Sequence, residues 1–350
     1  MNLIILDQNF DTLGVVSVFN TLIWDRRYYA SGLFELHTPA EFFTLMNTGR
    51  YLYRNDRDEL GVIREVNFAR DAKGTRTAYC KGYFSEELLN GRVLNTQISL
   101  TGTPEVIGRK MVDRYVINPT DAGRKISQVN LGDKLYEIEK TQELSHRLRY
   151  DYLNNDLIFE VWKGKDRTDD QTENSWAIFS DSFYNVKNAV YDRDESEYKN
   201  FAYVAGEGEG SARVIVEVDL RSSADEERRE VYVDARDLQS TYQDDAGDEH
   251  TYTADQYRAL LRQRGLEKLA EYQKIETVNG DVDPNANLTY GVDFDLGDLC
   301  TYRYADVGIE TTKRITEIQE VYEGSKQTLS VVFGNDQMTS ITKIIQREVF

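Results

Sequence analysis

The clearest structural signal in the sequence is the octapeptide Val214-Ile215-Val216-Glu217-Val218-Asp219-Leu220-Arg221. Every second residue from Val214 to Leu220 is apolar, and the intervening positions carry Glu217, Asp219 and Arg221 after Ile215. A β-strand with one buried face needs this period of two, because successive side chains point to opposite faces. The same alternation, bounded by Gly, Asn or Asp, recurs at Phe34/Leu36, Val231/Val233/Ala235 and Leu329/Val331/Phe333. The pattern predicts a mainly β protein.

Composition points the same way. The chain has 23 Tyr and 14 Phe but only 4 Pro and 4 Met, which favours long strands with uninterrupted ladders. A length of 350 residues exceeds the usual size of a single hydrophobic core. We therefore expect two or three domains of roughly 100 to 150 residues each.

Three helices are predicted from their start signals. A short one follows the apparent capping box Thr38-Pro39-Ala40-Glu41, and a second begins at Thr103-Pro104. The longest begins at the capping box Thr253-Ala254-Asp255-Gln256 and runs to Tyr272, tolerating Gly265 at a cost of about 1 kcal/mol. Its apolar stripe needs a sheet to cover.

A faint internal repeat connects the two ends of the chain. The first copy consists of Gly49, Ile63-Arg64-Glu65-Val66, Gly74-Thr75-Arg76 and Gly82. The second consists of Gly297, Ile315-Thr316-Glu317-Ile318, Gly324-Ser325-Lys326 and Gly334. Two copies of one β unit, as duplicated small barrels, are the simplest explanation. This predicts a first barrel in residues 1–99, completed by 206–240, an inserted α+β domain in 100–205, and a second barrel with one long helix in 241–350.

The negative charge is regional. Residues 1–126 carry 16 basic and 15 acidic side chains, so the net charge of -19 arises in the remainder of the chain. The densest part, residues 217–249, has 12 acidic and 4 basic residues and would repel nucleic-acid phosphates. A solvated surface is the simpler interpretation of this acidic segment, and a channel lining or a docking face for a basic partner is the alternative.

Few motifs suggest chemistry. The glycine turn at residues 206–210 has no following Lys-Ser/Thr, as a phosphate loop would require. Residues 281–287 alternate oxygen ligands as a calcium loop does, but Ala286 replaces the needed glycine. Four carboxylates crowd one loop, where solvent would screen their repulsion: Asp244, Asp245, Asp248 and Glu249. We therefore predict no metal and no cofactor.

The histidines and cysteines add no catalytic motif. The three histidines are His37, His146 and His250, without the spacing of a zinc helix and without a serine-nucleophile elbow. His37 is predicted to be a surface residue. Cys80 and Cys300 are predicted to be buried thiols, not a disulfide. No catalytic residue is predicted, and the chain is expected not to be an enzyme.

Membrane insertion and secretion are not indicated. No apolar stretch reaches the roughly 18 residues of a membrane helix. The first residues, Met1-Asn2-Leu3-Ile4-Ile5-Leu6-Asp7, lack the basic start and the apolar length of a secretory signal. We expect the protein to be made and kept in a cytoplasm.

The N-terminal region contains three neighbouring motifs: Trp24-Asp25-Arg26-Arg27-Tyr28-Tyr29, Gly32-Leu33-Phe34-Glu35-Leu36 and Thr38-Pro39. With these motifs it resembles the baseplate hub proteins of tailed bacteriophages, in particular the hub-like family of siphophages. The mid-chain glycine turn, Asp295-Leu296-Gly297-Asp298-Leu299 and Arg314-Ile315-Thr316-Glu317-Ile318 are similar to later parts of the same proteins.

The resemblance implies a fold class and a role. The fold is mainly β with an α+β insertion, and has two related tube-like β-barrel domains plus a middle α/β domain. Three chains form a homotrimer whose six barrels make a pseudo-sixfold ring at the distal end of a tail tube. The implied partners are a distal tail or tail tube protein, a tape measure protein, and tip, spike or receptor-binding proteins. The implied location is the virion tail of a phage or prophage, assembled in the bacterial cytoplasm, without stable nucleic-acid binding or membrane insertion.

Two alternatives from other classes stay open at this point. One is a carbohydrate-active tail protein that cleaves host surface glycan with two of its many carboxylates. The other is a carbohydrate-binding module that recognises such glycan without cleaving it, through exposed Tyr and Trp side chains.

Overall fold

The computed structural model describes residues 1–70, 72, 74–94, 100, 102–117, 130–140, 142–243, 248–283 and 286–334. The strands in chain order are β1 Leu3–Leu6, β2 Thr12–Val16, β3 Thr21–Arg27, β4 Leu33–Pro39, β5 Tyr51–Arg54, β6 Leu60–Arg70, β7 Arg76–Phe84, β8 Ser145–Asp151, β9 Asp156–Trp162, β10 Ile178–Ser180, β11 Val186–Asp194, β12 Phe201–Ala205, β13 Ile215–Asp219, β14 Glu230–Asp234, β15 Thr241–Gln243, β16 Glu249–Thr251, β17 Ile275–Val282, β18 Leu299–Tyr304, β19 Ile309–Glu323 and β20 Lys326–Gly334. The α-helices are α1 Glu87–Asn90, α2 Pro104–Val112, α3 Leu131–Lys140 and α4 Ala254–Glu271.

One sheet of 13 strands organises the molecule. Its main path is β11-β17-β20-β19-β3-β4-β7-β6-β5-β1-β2, and β18 and β10 branch from β19. Neighbouring strands are antiparallel except for the parallel pair β10 and β18. The predicted mainly β class is confirmed.

The sheet consists of two halves with the same strand order. The first half runs β3-β4-β7-β6-β5-β1, and the second runs β11-β17-β20-β19-β18-β10. Each half covers its own core, because the apolar positions of its alternating strands face inward. The first core includes Ile5, Trp24, Phe34, Leu36 and Cys80, and the second includes Phe179, Val278, Cys300, Val331 and Phe333.

The predicted repeat corresponds to the three-strand unit at the centre of each half. β5-β6-β7 and β18-β19-β20 are both antiparallel meanders. Each middle strand has a bulge at the repeated motif, between Ile63 and Glu65 in β6 and between Ile315 and Glu317 in β19. A bulge bends a strand and increases its twist, so it allows one long strand to leave one partner and continue beside another.

A helical module is inserted after the first half. Helices α1, α2 and α3 pack with the β8–β9 hairpin around an apolar cluster that includes Leu89, Met111 and Leu135. The module contacts the first half through backbone hydrogen bonds, such as Tyr150 N to Asp58 O at 2.9 Å. Within the predicted insertion 100–205, however, β10 and β11 pair with strands of the second half.

A small sheet forms a further module that the sequence patterns did not separate. β12 lies between antiparallel β13 and parallel β14, and α4 packs across them. Residues 206–240 therefore do not complete the first barrel as expected, because their strands pair with β12. The long helix α4 was expected in the second barrel, but it also packs on this small sheet. A Cβ on Gly265 would lie 2.7 Å from side-chain atoms of Val204 and Val218, so the glycine permits close packing.

The helix predictions have different outcomes. The capping box at Thr253 is present and starts α4, and Thr103 caps α2. The predicted capping box at Thr38 is wrong, because Thr38 lies within β4, is buried and pairs with Ala78. A single 3-10 turn, Ala40–Phe42, follows instead. In the part of the chain that the structure describes, no helix is long and apolar enough to cross a membrane.

Candidate functional site: the junction between the sheet halves

Strands β3 and β19 join the two halves edge to edge. Their antiparallel ladder runs from Arg27 opposite Glu317 to Thr21 opposite Glu323. The chain also crosses between the two cores along β3, because Trp24 is fully buried in the first core and Tyr28, the residue after β3, is fully buried in the second. Tyr28 N donates to Thr316 O, the bulge residue of β19, at 2.9 Å. The Trp and Tyr of the N-terminal motif thus anchor one strand in two cores.

A buried carboxylate, Glu320, lies at the centre of this junction. Its side chain is 0% exposed and accepts from Arg54 Nη2 at 2.9 Å. Arg57 donates to both oxygens, from Nε and Nη2, at 2.9 Å each. Tyr322 Oη donates to Glu320 Oε2 at 2.7 Å. Since β5 and the turn after it supply both arginines, this network binds the second half of the sheet to the first.

The charges of the network determine its protonation. Burial raises the pKa of Glu320, but the positive charges of Arg54 and Arg57 outweigh burial and hold the pKa below its usual range. Burial also raises the pKa of Tyr322 to about 12, with the Glu320 charge adding to the effect. The carboxylate is therefore ionised and paired, and a buried pair of this kind is costly to break.

A second ionic contact reinforces the same junction. Arg26 on β3 is 2.5 Å from Glu59 in the first half and 2.5 Å from Asp295 in the second. Its Nη1 also donates to Tyr290 Oη at 2.8 Å. Burial lowers the pKa of Arg26, but Glu59, Tyr290 and Asp295 raise it well above the ordinary value. The arginine of the N-terminal motif thus spans both halves.

Neighbouring carboxylates line a cavity too small for a sugar. Glu59, Glu86 and His146 border a space of about 20 Å³, which is room for roughly one water molecule. Burial raises the pKa of Glu86 to about 7, although Leu148 N donates to it at 3.1 Å.

A larger cleft of about 360 Å³ lies between α3 and α4. There Lys134 bridges Glu137 at 2.8 Å and Glu267 at 3.2 Å.

The structure places the other residues that the sequence singled out. Cys80 and Cys300 are buried free thiols, as predicted, and burial raises the pKa of Cys80 to about 12. His37 is 38% exposed and lies 2.5 Å from Glu35. His146 is buried and lies 2.8 Å from the equally buried Glu139. His250 lies on the exposed strand β16.

The two candidate loops are also located. Residues 206–210 form the predicted turn, which follows β12 and ends at the start of the single 3-10 turn Gly210–Ala212. In the suspected calcium loop, Asp281 accepts a hydrogen bond from Asn188 at 2.8 Å. Asp283 pairs with Lys187 at 2.6 Å. Pro284 and Asn285 lie outside the described residues, as do Asp244 and Asp245 of the acidic loop.

The described residues of the acidic segment 217–249 lie on the small sheet and on the paired strands β15 and β16. Several of its carboxylates pair with neighbouring arginines, such as Asp219 with Arg221 at 2.8 Å and Asp234 with Arg236 at 2.6 Å. The pKa of Asp219 is lowered to about 2, mainly by the hydrogen bonds from Arg221. Local arginines therefore offset part of the acidic charge.

Sequence reasoning missed the ionic network at the junction. One signal was present, because Glu320 follows Ile318 by two residues and therefore points to the same face of β19. A charged side chain on the buried face of a strand needs a partner of opposite charge. The partners of Glu320 are Arg54 and Arg57, which lie more than 260 residues away in sequence.

Comparisons with known proteins agree with this architecture. The family model described as Siphovirus ReqiPepy6 Gp37-like protein matches residues 2–136 and 128–335. No curated protein matches the sequence. Prophage tail protein gp18 from Listeria monocytogenes EGD-e is 14% identical, with a TM-score of 0.57 over 100% of this chain and 98% of that one.

Two further solved structures have the same fold. A tail protein from Neisseria meningitidis MC58 is 11% identical, with a TM-score of 0.57 and 96% coverage of each chain. The 43 kDa tail protein of prophage MuSo2 from Shewanella oneidensis is 12% identical, with a TM-score of 0.57 over 95% of this chain and 98% of that one. The predicted resemblance to tailed-phage proteins is thereby confirmed. The chain belongs to the family of Siphovirus ReqiPepy6 Gp37-like proteins, and its fold is that of these phage and prophage tail proteins.

Proposed function

We propose that this chain is a tail protein, namely the baseplate hub of a phage or prophage, and a structural subunit without catalytic activity. One observation supports this most: a single chain contains two sheet halves of the same strand order, joined edge to edge through β3 and β19. Three such chains supply six equivalent units. A homotrimer can therefore match a hexameric tail tube with a pseudo-sixfold ring of tube-like barrels.

The proposed partners follow from a position at the distal end of the tube. They are a distal tail or tail tube protein and the tape measure protein on one side, and tip, spike or receptor-binding proteins on the other. The tail proteins with the same fold support a structural role. We propose no stable nucleic-acid binding, because the acidic segment repels phosphate.

Immunogold electron microscopy of particles released from the producing cells tests the position of the chain. An antibody raised against this chain should label the distal tip of the tail, and antibody preabsorbed with the purified chain is the control. Label elsewhere on the tail, or on no particle, contradicts the hub proposal. Cell-wall turnover or saturable binding to host cells by the purified chain would then favour the glycan-cleaving or glycan-binding alternative.

A further inference from the structure

Among the open strand edges of the two sheet halves in the described residues, one lies on β6 and one on β11. Beyond the bulge, residues 65–70 of β6 pair with β7 on one side and have no ladder partner on the other. Strand β11 pairs with β17 and forms one end of the main path of the sheet. Exposed strand edges present unpaired N–H and C=O groups, and proteins usually cover or pair them.

These two edges correspond, position by position, to the two strands that meet inside the chain. Residues 65–70 of β6 follow the same bulge as residues 317–322 of β19. β11 holds the same place beside β17 that β3 holds beside β4. The sequences agree as well, since Ile23-Trp24-Asp25-Arg26 corresponds to Val190-Tyr191-Asp192-Arg193. The register supports this, because Trp24 pairs with Phe34 and Tyr191 with Val278, both of which are core residues.

We infer that β6 of one copy pairs with β11 of the next copy, antiparallel, in the register that β19 has with β3. Inside the chain, Ile318 is opposite Arg26, Gln319 opposite Asp25, Glu320 opposite Trp24 and Val321 opposite Ile23. Between copies, this register places Val66 opposite Arg193, Asn67 opposite Asp192, Phe68 opposite Tyr191 and Ala69 opposite Val190. The inference of this interface rests on the proposed hub function. It identifies the two strands through which neighbouring copies would pair in the ring.

Side-chain chemistry at the two edges fits this register. Phe68 is 47% exposed and Val190 is 37% exposed, so both offer apolar surface to a partner. Phe68 and Tyr191 form an aromatic cross-strand pair, which stabilises antiparallel strands. Oδ2 of Asp192 is buried and accepts no hydrogen bond in the described part of the chain. The amide of Asn67 opposite it supplies the missing donor.

One pair in the register is unfavourable. Glu65 lies opposite Asp194, and like charges in direct opposition destabilise a ladder. Lys81 lies 3.1 Å from Glu65 and offsets this repulsion. The contact as a whole is head to tail, because each copy offers two different edges. Such contacts form a ring when the rotation closes, and an open filament when it does not.

Cysteine cross-linking tests the register directly. The full-length variant Ala69→Cys/Val190→Cys places two exposed thiols on facing positions, within the reach of a disulfide. Mild oxidation should convert it to covalent trimers on a non-reducing gel. The matched control Ala69→Cys/Arg193→Cys moves one exposed thiol three residues along β11, out of reach, and should stay uncross-linked. Each single variant should also stay uncross-linked, because Cys80 and Cys300 are buried.

A mixture of the two single variants tests the head-to-tail arrangement. Ala69→Cys chains mixed with Val190→Cys chains should give covalent dimers and nothing larger, because each chain then has one thiol. Oligomers by light scattering without these cross-links, or cross-links that are as strong in the shifted control, overturn this interface and leave the hub proposal standing. A chain that stays monomeric at all concentrations overturns both.

Discussion

Strands β6 and β19 occupy the same place in two equivalent sheet halves, yet their outer edges differ. β3 covers the outer edge of β19, where the buried Glu320 accepts hydrogen bonds from Arg54, Arg57 and Tyr322. The outer edge of β6 is open among the described residues, and its corresponding position is the exposed Phe68. The two halves share one strand arrangement, but their outer edges differ in chemistry. The edge that joins the other half carries an ionic network, and the uncovered edge carries apolar surface. Buried ion pairs favour one specific arrangement, whereas exposed aromatic side chains are typical anchors of interfaces.

Removing Glu320 should have the largest effect on this comparison. Glu320→Ala leaves Arg54 buried without its carboxylate partner, and we expect the free energy of unfolding to fall by about 3 to 5 kcal/mol. Urea denaturation measures this loss. The control Glu310→Ala on the same strand removes an exposed ion pair, 2.9 Å from Arg303, and should cost less than about 1 kcal/mol. Equal losses for the two variants would contradict a special role for the covered edge.

Acid should remove the same stabilisation. The folded state lowers the pKa of Glu320, so its contribution is present above the ordinary carboxyl pKa of about 4.3 and is lost as pH falls through the lowered value. The difference in unfolding free energy between the wild type and Glu320→Ala should therefore narrow as the pH falls below about 4. A difference that is constant with pH would contradict the ionised state of Glu320.

The equivalent aromatic residues of β3 and β11 sharpen the comparison next. Trp24 is fully buried, and its ring centroid lies 4.6 Å from that of Phe84. Trp24→Ala should lower the free energy of unfolding by about 3 to 5 kcal/mol. Tyr191 is only partly buried in the single chain, and Tyr191→Ala should cost about 1 to 2 kcal/mol. Thermal or urea unfolding of the monomeric form measures both. Similar losses would mean that the edge of β11 is already covered within one chain.

The buried Glu86 that follows β7 in the first half gives a further test that depends on pH. Its folded pKa of about 7 lies above the unfolded value, so stability is full below the unfolded pKa and is lost as pH rises towards 7. Glu86→Gln should remove this loss, which is roughly 2 to 3 kcal/mol. Unfolding between pH 4.5 and 7.5 compares the variant with the control Glu87→Gln, where the partly exposed Glu87 pairs with Arg64 at 2.8 Å. A wild type that does not lose stability relative to Glu86→Gln would disprove the raised pKa.

The smallest effect on stability is expected at the open edge itself. Phe68→Ser should change the free energy of unfolding by less than about 1 kcal/mol, because the side chain is half exposed. It should nevertheless weaken self-association, which light scattering over a concentration series measures. Tyr83→Ser is the control, since Tyr83 on β7 is 46% exposed but lies away from both open edges in the ladder. Unchanged association for Phe68→Ser would remove Phe68 from the interface.

Local patterns in the sequence were reliable where neighbouring residues determine structure. Alternation identified β4 and β20 through Phe34, Leu36 and Val331, and Thr253 identified the start of α4. The same reasoning failed at Thr38, where a proline-initiated capping box lies at the end of a strand. Its failure has a physical reason, because the ladder with β7 and the burial of Thr38 outweigh a local helix signal.

The amino-acid sequence alone contained the mainly β class, the long helix, the buried thiols and the repeated Ile-x-Glu motif. Tertiary structure alone decided that β3 joins β19, that residues 206–240 belong to the small sheet, and that Glu320 meets Arg54. Alternation states that a strand has one buried face, but every backbone offers the same N–H and C=O groups at its edge. Which edges meet is therefore set by long-range packing. The role of the charged residues at a joined edge can be assigned only when their partners in the fold are known.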